Sequence, residues 1–254
     1  MEEGKEEQIE KVFTTTMISI EGLTKKLGNF QLGPLDLQVC EGQVLVVLGE
    51  NGSGKSTLLN LVSGILKPDK GRIFLKQDLL NDLPMEKRRI GYVFQKLYLF
   101  PHLDVCANIN FGLKRRLRKG AADISKTKTR EVISMLHIES LLTRHIQSLS
   151  AGEQQKVALA RTLVTEPRLL LMDEPLTNLD IVSKINLLQE LRKILSKVKI
   201  PVIYVTHYPN EAFGLADRIL ILNGGNIVEE GVRDEVMLRP KAEFTKMLIG
   251  TLRF

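Results

Sequence analysis

Thiol chemistry is almost missing from this chain. Only Cys40 and Cys106 occur among 254 residues, in no metal-ligand spacing. That excludes a zinc framework or disulfide scaffold and fits thiols kept reduced. Long apolar runs are also missing, and none approaches the ~20 residues that a spanning helix needs. The opening Met1-Glu2-Glu3-Gly4-Lys5-Glu6-Glu7 is acidic and polar, which predicts no signal peptide. There is no internal repeat and no sustained heptad pattern. Charge of either sign is modest: 36 Lys plus Arg stand against 30 Asp plus Glu, a net +6. Such a balance does not call for nucleic acid as a partner. What is present is a 43% apolar content, enough for one large domain or a domain with a subdomain.

Gly49-Glu50-Asn51-Gly52-Ser53-Gly54-Lys55-Ser56-Thr57 fits the phosphate-loop pattern G-x-x-x-x-G-K-[ST]. It follows the apolar run Val44–Leu48 and precedes the helix-compatible Thr57–Val62, so its context is strand, loop, helix. Glycines let backbone N–H groups close around a phosphate, and the helix start adds partial positive charge. Lys55 would reach the β- and γ-phosphates and Ser56 would coordinate Mg²⁺. The chain is expected to bind a nucleoside triphosphate.

Residues 1–16 are charged without a periodic apolar face and read as a loose tail. Met17–Ile20 is the first strand-like stretch, Leu35–Val39 alternates as a half-exposed strand, and Gly71–Leu75 and Ile90–Phe94 follow. From about 96 to 150 the pattern becomes helical. Lys114-Arg115-Arg116-Leu117-Arg118-Lys119 reads as a solvated face, Gly120-Ala121-Ala122 as a loop and Thr129–Leu136 as a helix. Beyond 150 the α/β rhythm returns, with a helix over Gly152–Leu163 and a buried strand Leu169–Met172. A long amphipathic helix carrying Leu187, Leu191, Ile194 and Leu195 is ended by Pro201, before the strand Val202–Val205. The turn Asn223-Gly224-Gly225-Asn226 predicts an edge hairpin. Continuous apolar strands separated by helices predict a parallel sheet covered on both faces.

Asp173-Glu174 ends one buried strand and His207 ends the next, where α/β sheets bind ligands. Asp173 suits a magnesium ion, and Glu174 suits the base for a water attacking a γ-phosphate. His207 reaches the same place. Leu149-Ser150-Ala151-Gly152-Glu153-Gln154-Gln155 is a capping box with a second set of free N–H groups at a helix start. One chain has no use for two phosphate cradles around one phosphate; two chains set head to tail would use both.

Together these segments resemble the nucleotide-binding subunit of an ATP-binding cassette (ABC) transporter, over roughly residues 17–250. The resemblance implies a P-loop NTPase fold of α/β class. It has a mixed RecA-like sheet, an N-terminal antiparallel β subdomain and an inserted helical subdomain over about 96–160. Gly49–Thr57 corresponds to Walker A, Gln95 to the Q-loop glutamine and Ser150-Ala151-Gly152 to the signature. Leu169–Glu174 corresponds to Walker B, Asn178-Leu179-Asp180 to the D-loop and His207 to the switch histidine. It implies ATP and Mg²⁺, the ion held by Ser56, Gln95 and Asp173, with hydrolysis by Glu174, His207 and Gln95. Two subunits would sandwich two ATP molecules against permease subunits on the cytoplasmic face of the membrane, with an extracytoplasmic solute-binding protein engaged indirectly.

Tyr92–Gln95, Leu99–Val105 and Asn108–Leu113 resemble binding-protein-dependent importers, and Lys26–Phe30 is similar to molybdate and tungstate importers. A soluble ATPase of the iron–sulfur assembly type is the alternative. Two departures stand out: Leu27 occupies the adenine-stacking position, with Phe30 as a nearby substitute, and Glu50 adds a charge that must point outward. The chain ends at Phe254, with 251–254 read as a tail, so the C-terminal regulatory domain of many sugar importers is expected to be missing.

Overall fold

The computed structural model describes residues 15–114, 122–177 and 179–250. Its strands are β1 (Thr16–Leu27), β2 (Phe30–Cys40), β3 (Val44–Leu48), β4 (Lys70–Leu75), β5 (Asp78–Leu79), β6 (Ile90–Val93), β7 (Leu169–Asp173), β8 (Val202–Thr206), β9 (Arg218–Asn223) and β10 (Asn226–Val232). Its helices are α1 (Lys55–Ser63), α2 (Val105–Lys114), α3 (Ala122–Met135), α4 (Ala151–Leu163), α5 (Ile181–Val198), α6 (Pro209–Leu215), α7 (Arg233–Leu238) and α8 (Glu243–Ile249). The first sheet is antiparallel in the order β2-β1-β4-β5, and the second runs β10-β9-β3-β8-β7-β6. In the second, β9, β3, β8, β7 and β6 are parallel and only the edge strand β10 is antiparallel.

β3 explains the layering. All five of its residues are buried, as a strand covered on both faces requires. Val44, Val46 and Leu48 face a core shared with α2 to α8, whereas Leu45 and Val47 face one shared with α1 and the antiparallel sheet. The register then assembles the site. Leu48 pairs with Thr206 and Asp173 with Val205, so the ends of β3, β8 and β7 arrive at one level.

α1 is finished by a buried cation. Gly64 closes the helix in the left-handed conformation at φ 89. Arg88, 2% exposed, donates from Nη1 to the Leu61 and Val62 carbonyls at 3.0 and 2.9 Å and from Nε to the Leu83 carbonyl at 2.9 Å. A cation at a helix C-terminus meets both its orphan carbonyls and its dipole.

Several expected boundaries shift. Thr16 belongs to β1, so the loose tail cannot reach residue 16, and residues 1–14 lie outside the description along with 251–254. β1 runs on to Leu27 past Gly22 and two lysines because irregular pairing near Glu21–Thr24 absorbs them. Ala122 opens α3 rather than sitting in a loop, while residues 115–121 of the basic run and loop are outside the description. α5 stops at Val198, with Lys199 in the left-handed conformation at φ 53, before Pro201 is reached.

Candidate active site

The loop after β3 turns where glycine is obligatory. A Cβ on Gly49 would lie 2.2 Å from the Leu222 carbonyl oxygen, and Gly54 takes φ 107 with the Phe30 ring packed against it. Behind the loop, Gly225 N–H in the β9–β10 turn donates to the Ser53 carbonyl at 3.0 Å. The Ser53 hydroxyl is buried without a hydrogen-bond partner. Glu50 is exposed, so its charge does point outward.

Lys55 is 5% exposed, and its ammonium donates to the Gly49 and Glu50 carbonyls, both at 2.9 Å. It stands 3.7 Å from Glu174 Oε1, too far for a hydrogen bond, so charge attraction is what links them. Burial pulls its pKa down, and Glu174 and Asp173 partly oppose that. At the facing strand end, Asp173 Oδ1 accepts from the Ser56 hydroxyl at 3.0 Å, and Oδ2 lies 3.2 Å from the Tyr92 hydroxyl. Burial pushes the Asp173 carboxyl up, the Ser56 and Tyr92 hydrogen bonds hold it down, and Glu174 adds to the rise. Both charges therefore lack solvation that a counter-charge would replace.

Glu174 hydrogen-bonds to the His207 Nδ1 at 3.0 Å through Oε1. Thr177 Oγ1 donates toward it, 3.0 Å from the backbone carbonyl and 3.4 Å from Oε2. Its backbone sits at φ +42, a costly conformation for a non-glycine residue that clusters at functional sites. Lys55, Ser56, Glu174 and His207 border one open cavity of about 820 Å³, together with Asn51, Gly52, Gly54, Thr57 and Gln95. Leu27, Phe30 and Tyr208 form its apolar side.

Eight expected site residues do not line this cavity: Gly49, Glu50, Ser53 and Asp173, in the phosphate loop and at the end of β7, and Ser150, Ala151, Gly152 and Asp180, at the starts of α4 and α5. Ser150 caps α4, its hydroxyl accepting from Glu153 N–H at 3.3 Å while Glu153 Oε2 accepts from Ser150 N–H at 2.8 Å. Asp180 caps α5 through Ser183 N–H at 3.0 Å. Asn178, the first residue of that expected segment, lies outside the described residues.

The sequence reading missed Tyr92 and Arg161. Tyr92 is the polar residue of a short apolar strand, which is a weak signal. Arg161, near the C-terminal end of α4, donates to the Leu97 and Tyr98 carbonyls at 2.6 and 2.7 Å and so fastens the segment just after Gln95. Nothing local in the sequence announces that contact.

A phosphate cradle at the end of a parallel strand, facing a carboxylate pair on a strand beyond its neighbour, defines a P-loop nucleotide-hydrolysing domain. The sequence profile of the ABC transporter family matches residues 32–177, and the chain belongs to that family. It binds and hydrolyses ATP. The chain is 42% identical to the molybdate/tungstate import ATP-binding protein of Pyrococcus horikoshii over 92% of this chain and 67% of that one. It is 39% identical to the spermidine/putrescine import ATP-binding protein of Bacillus thuringiensis over 92% of this chain and 71% of that one. A solved dimeric ATP-binding cassette, bound to ADP and phosphate after hydrolysis, superposes with a TM-score of 0.73 at 30% identity. That match covers 85% of this chain and 99% of the other. Among the described residues no helix is long and apolar enough to cross a membrane.

Proposed function

We propose that the chain is the ATPase subunit of an importer for a small oxyanion of the molybdate or tungstate kind, working as a head-to-tail pair against permease subunits on the cytoplasmic face of the membrane. An extracytoplasmic solute-binding protein would hand the solute to the permease. One observation carries the paired reading. The cavity holding Lys55, Glu174 and His207 is open, while the second cradle, Ser150-Ala151-Gly152, lies outside it on the capped start of α4. A second copy would bring that cradle over the γ-phosphate. The likeness to import ATP-binding proteins over 92% of the chain favours this over a soluble ATPase.

Ser56 and Asp173 offer hard oxygen donors 3.0 Å apart, and Mg²⁺ takes such donors singly or in pairs and fills its shell with phosphate oxygens and water. No cluster of three His, Cys, Asp or Glu exists among the described residues, which agrees with a metal held mainly by the nucleotide. Ser56 and Asp173 would hold the ion, with Gln95 beside it, and bound there it would offset the negative charge of the phosphates. Lys55 binds the same oxygens once the phosphate displaces its loop carbonyls. Glu174 takes the proton of the attacking water, a contribution of about 10²–10⁴ in rate. His207, hydrogen-bonded to Glu174, holds base and water in line. Phe30, with Leu27, packs the base of the nucleotide.

The test is ATPase activity of the complex reconstituted with its permease and binding protein, with molybdate, tungstate or spermidine as the solute. Stimulation by the oxyanions alone is expected. Stimulation by spermidine alone would overturn the substrate class and leave the importer reading intact.

A further inference from the structure

Directly behind the catalytic histidine lies a carboxylate with no part in the chemistry above. Glu211, in the first turn of α6, is 2% exposed, and a carboxylate buried that deeply must be paired and hydrogen-bonded to persist. Its Oε2 accepts from the Tyr204 hydroxyl at 2.8 Å and the Thr206 hydroxyl at 2.7 Å. Its Oε1 lies 3.1 Å from Lys184 Nζ of α5, an ion pair without an aligned hydrogen bond. While its hydroxyl donates to Glu211, Thr206 Oγ1 accepts from Tyr208 N–H at 3.0 Å. That bracket closes over a single residue, His207. On the other side, Lys184 Nζ stands 3.6 Å from the centroid of the Tyr208 ring, which packs on the His207 imidazole with centroids 4.0 Å apart.

We propose that Glu211 is a positioning residue for His207. It acts on the backbone through Thr206 and on the ring through Lys184 and Tyr208, keeping Nδ1 within 3.0 Å of Glu174. Filling a core is better done by apolar side chains of similar volume; three polar side chains converging on one buried carboxylate beside the histidine hold a geometry. The effect on rate rests on the hydrolytic role given to His207 above, whereas the effect on ring position does not.

The full chain tests this with Thr206→Val, Thr206→Ser and Glu211→Gln, each measured for steady-state ATPase kinetics and for the imidazole proton resonances of its histidines. Thr206→Val removes the relay but no charge, so it carries the test alone should Glu211→Gln fail to fold. In both Val and Gln variants kcat is expected to fall about 10- to 100-fold, the scale of misplacing a catalytic group by an ångström or so, with KM for ATP unchanged. The His207 resonances move, those of His102, His137 and His145 stay, and Thr206→Ser restores the parent in both readouts. Unmoved His207 resonances overturn the proposal, as does a matched loss of ATP affinity and rate, which marks general loosening. A shifted ring with unchanged kcat leaves Glu211 as the positioning group and removes His207 from the hydrolytic step.

Discussion

Glu174 gathers a strained backbone, a histidine contact and a place at the cavity in one residue. Its φ of +42 costs about 1–3 kcal/mol, repaid by contacts that the side chain and backbone make together. Its N–H donates to the Val205 carbonyl at 3.0 Å, its carbonyl accepts from Thr177, and Oε1 meets His207. Glu174→Gln keeps that shape and removes the base proposed above. ATP binding is expected to persist, hydrolysis to fall by about 10²–10⁴, and the ATP-bound chain to elute as a dimer in size-exclusion chromatography. A variant that stays monomeric at saturating ATP and Mg²⁺ would argue against the shared site. Lys55, Ser56, Asp173 and Glu174, which the structure brings together, were readable because each belongs to a motif of fixed local spacing. Tyr92 was not, because its partner Asp173 is 81 positions away and only the strand register brings them together.

Among the elements, those buried on both faces were plain in the sequence. β3, β7 and β8 are short, largely apolar runs with a candidate site residue at or just past the end, and the capping box of α4 was legible from Ser150 and Glu153 alone. Elements shaped by pairing were less so. β1 hides its full length behind Gly22, Lys25 and Lys26, because register shifts in its antiparallel pairing with β2 and β4 accommodate them. The end of α5 was misplaced because a proline marks where a helix must stop, not where it does. Arg88 shows how a distant residue finishes a helix. Arg88→Met removes the donors for the Leu61, Val62 and Leu83 carbonyls and should cost about 3 kcal/mol. A lowered urea midpoint with an unchanged m-value would record it; an unmoved midpoint would mean that water replaces the guanidinium.

At the scale of the whole molecule, the start of α4, proposed above as a second phosphate cradle, does not meet the cavity around Lys55 within one chain. Ser150→Arg fills the surface at the start of α4 and leaves the cavity around Lys55 untouched. ATP hydrolysis should fall at least about 100-fold, in line with losing a preorganised set of oxyanion donors. Nucleotide affinity of the monomer, read by fluorescence titration with a labelled ATP analogue, should change less than about twofold. An equal loss of affinity would place Ser150 at its own chain's nucleotide. The fold was legible because the motifs are ordered along nearly the whole chain, while no motif of comparable length points to one solute.

α4 has a tether at each end. Arg161 grips the Leu97 and Tyr98 carbonyls beside Gln95, and Ser150 caps the other terminus. Its 13 residues form a stiff rod of about 20 Å. A push received on the loop at 97–98 would therefore tilt the far tip as a lever does, swinging the serine and glycine toward or away from a neighbour's phosphate without any strand having to bend.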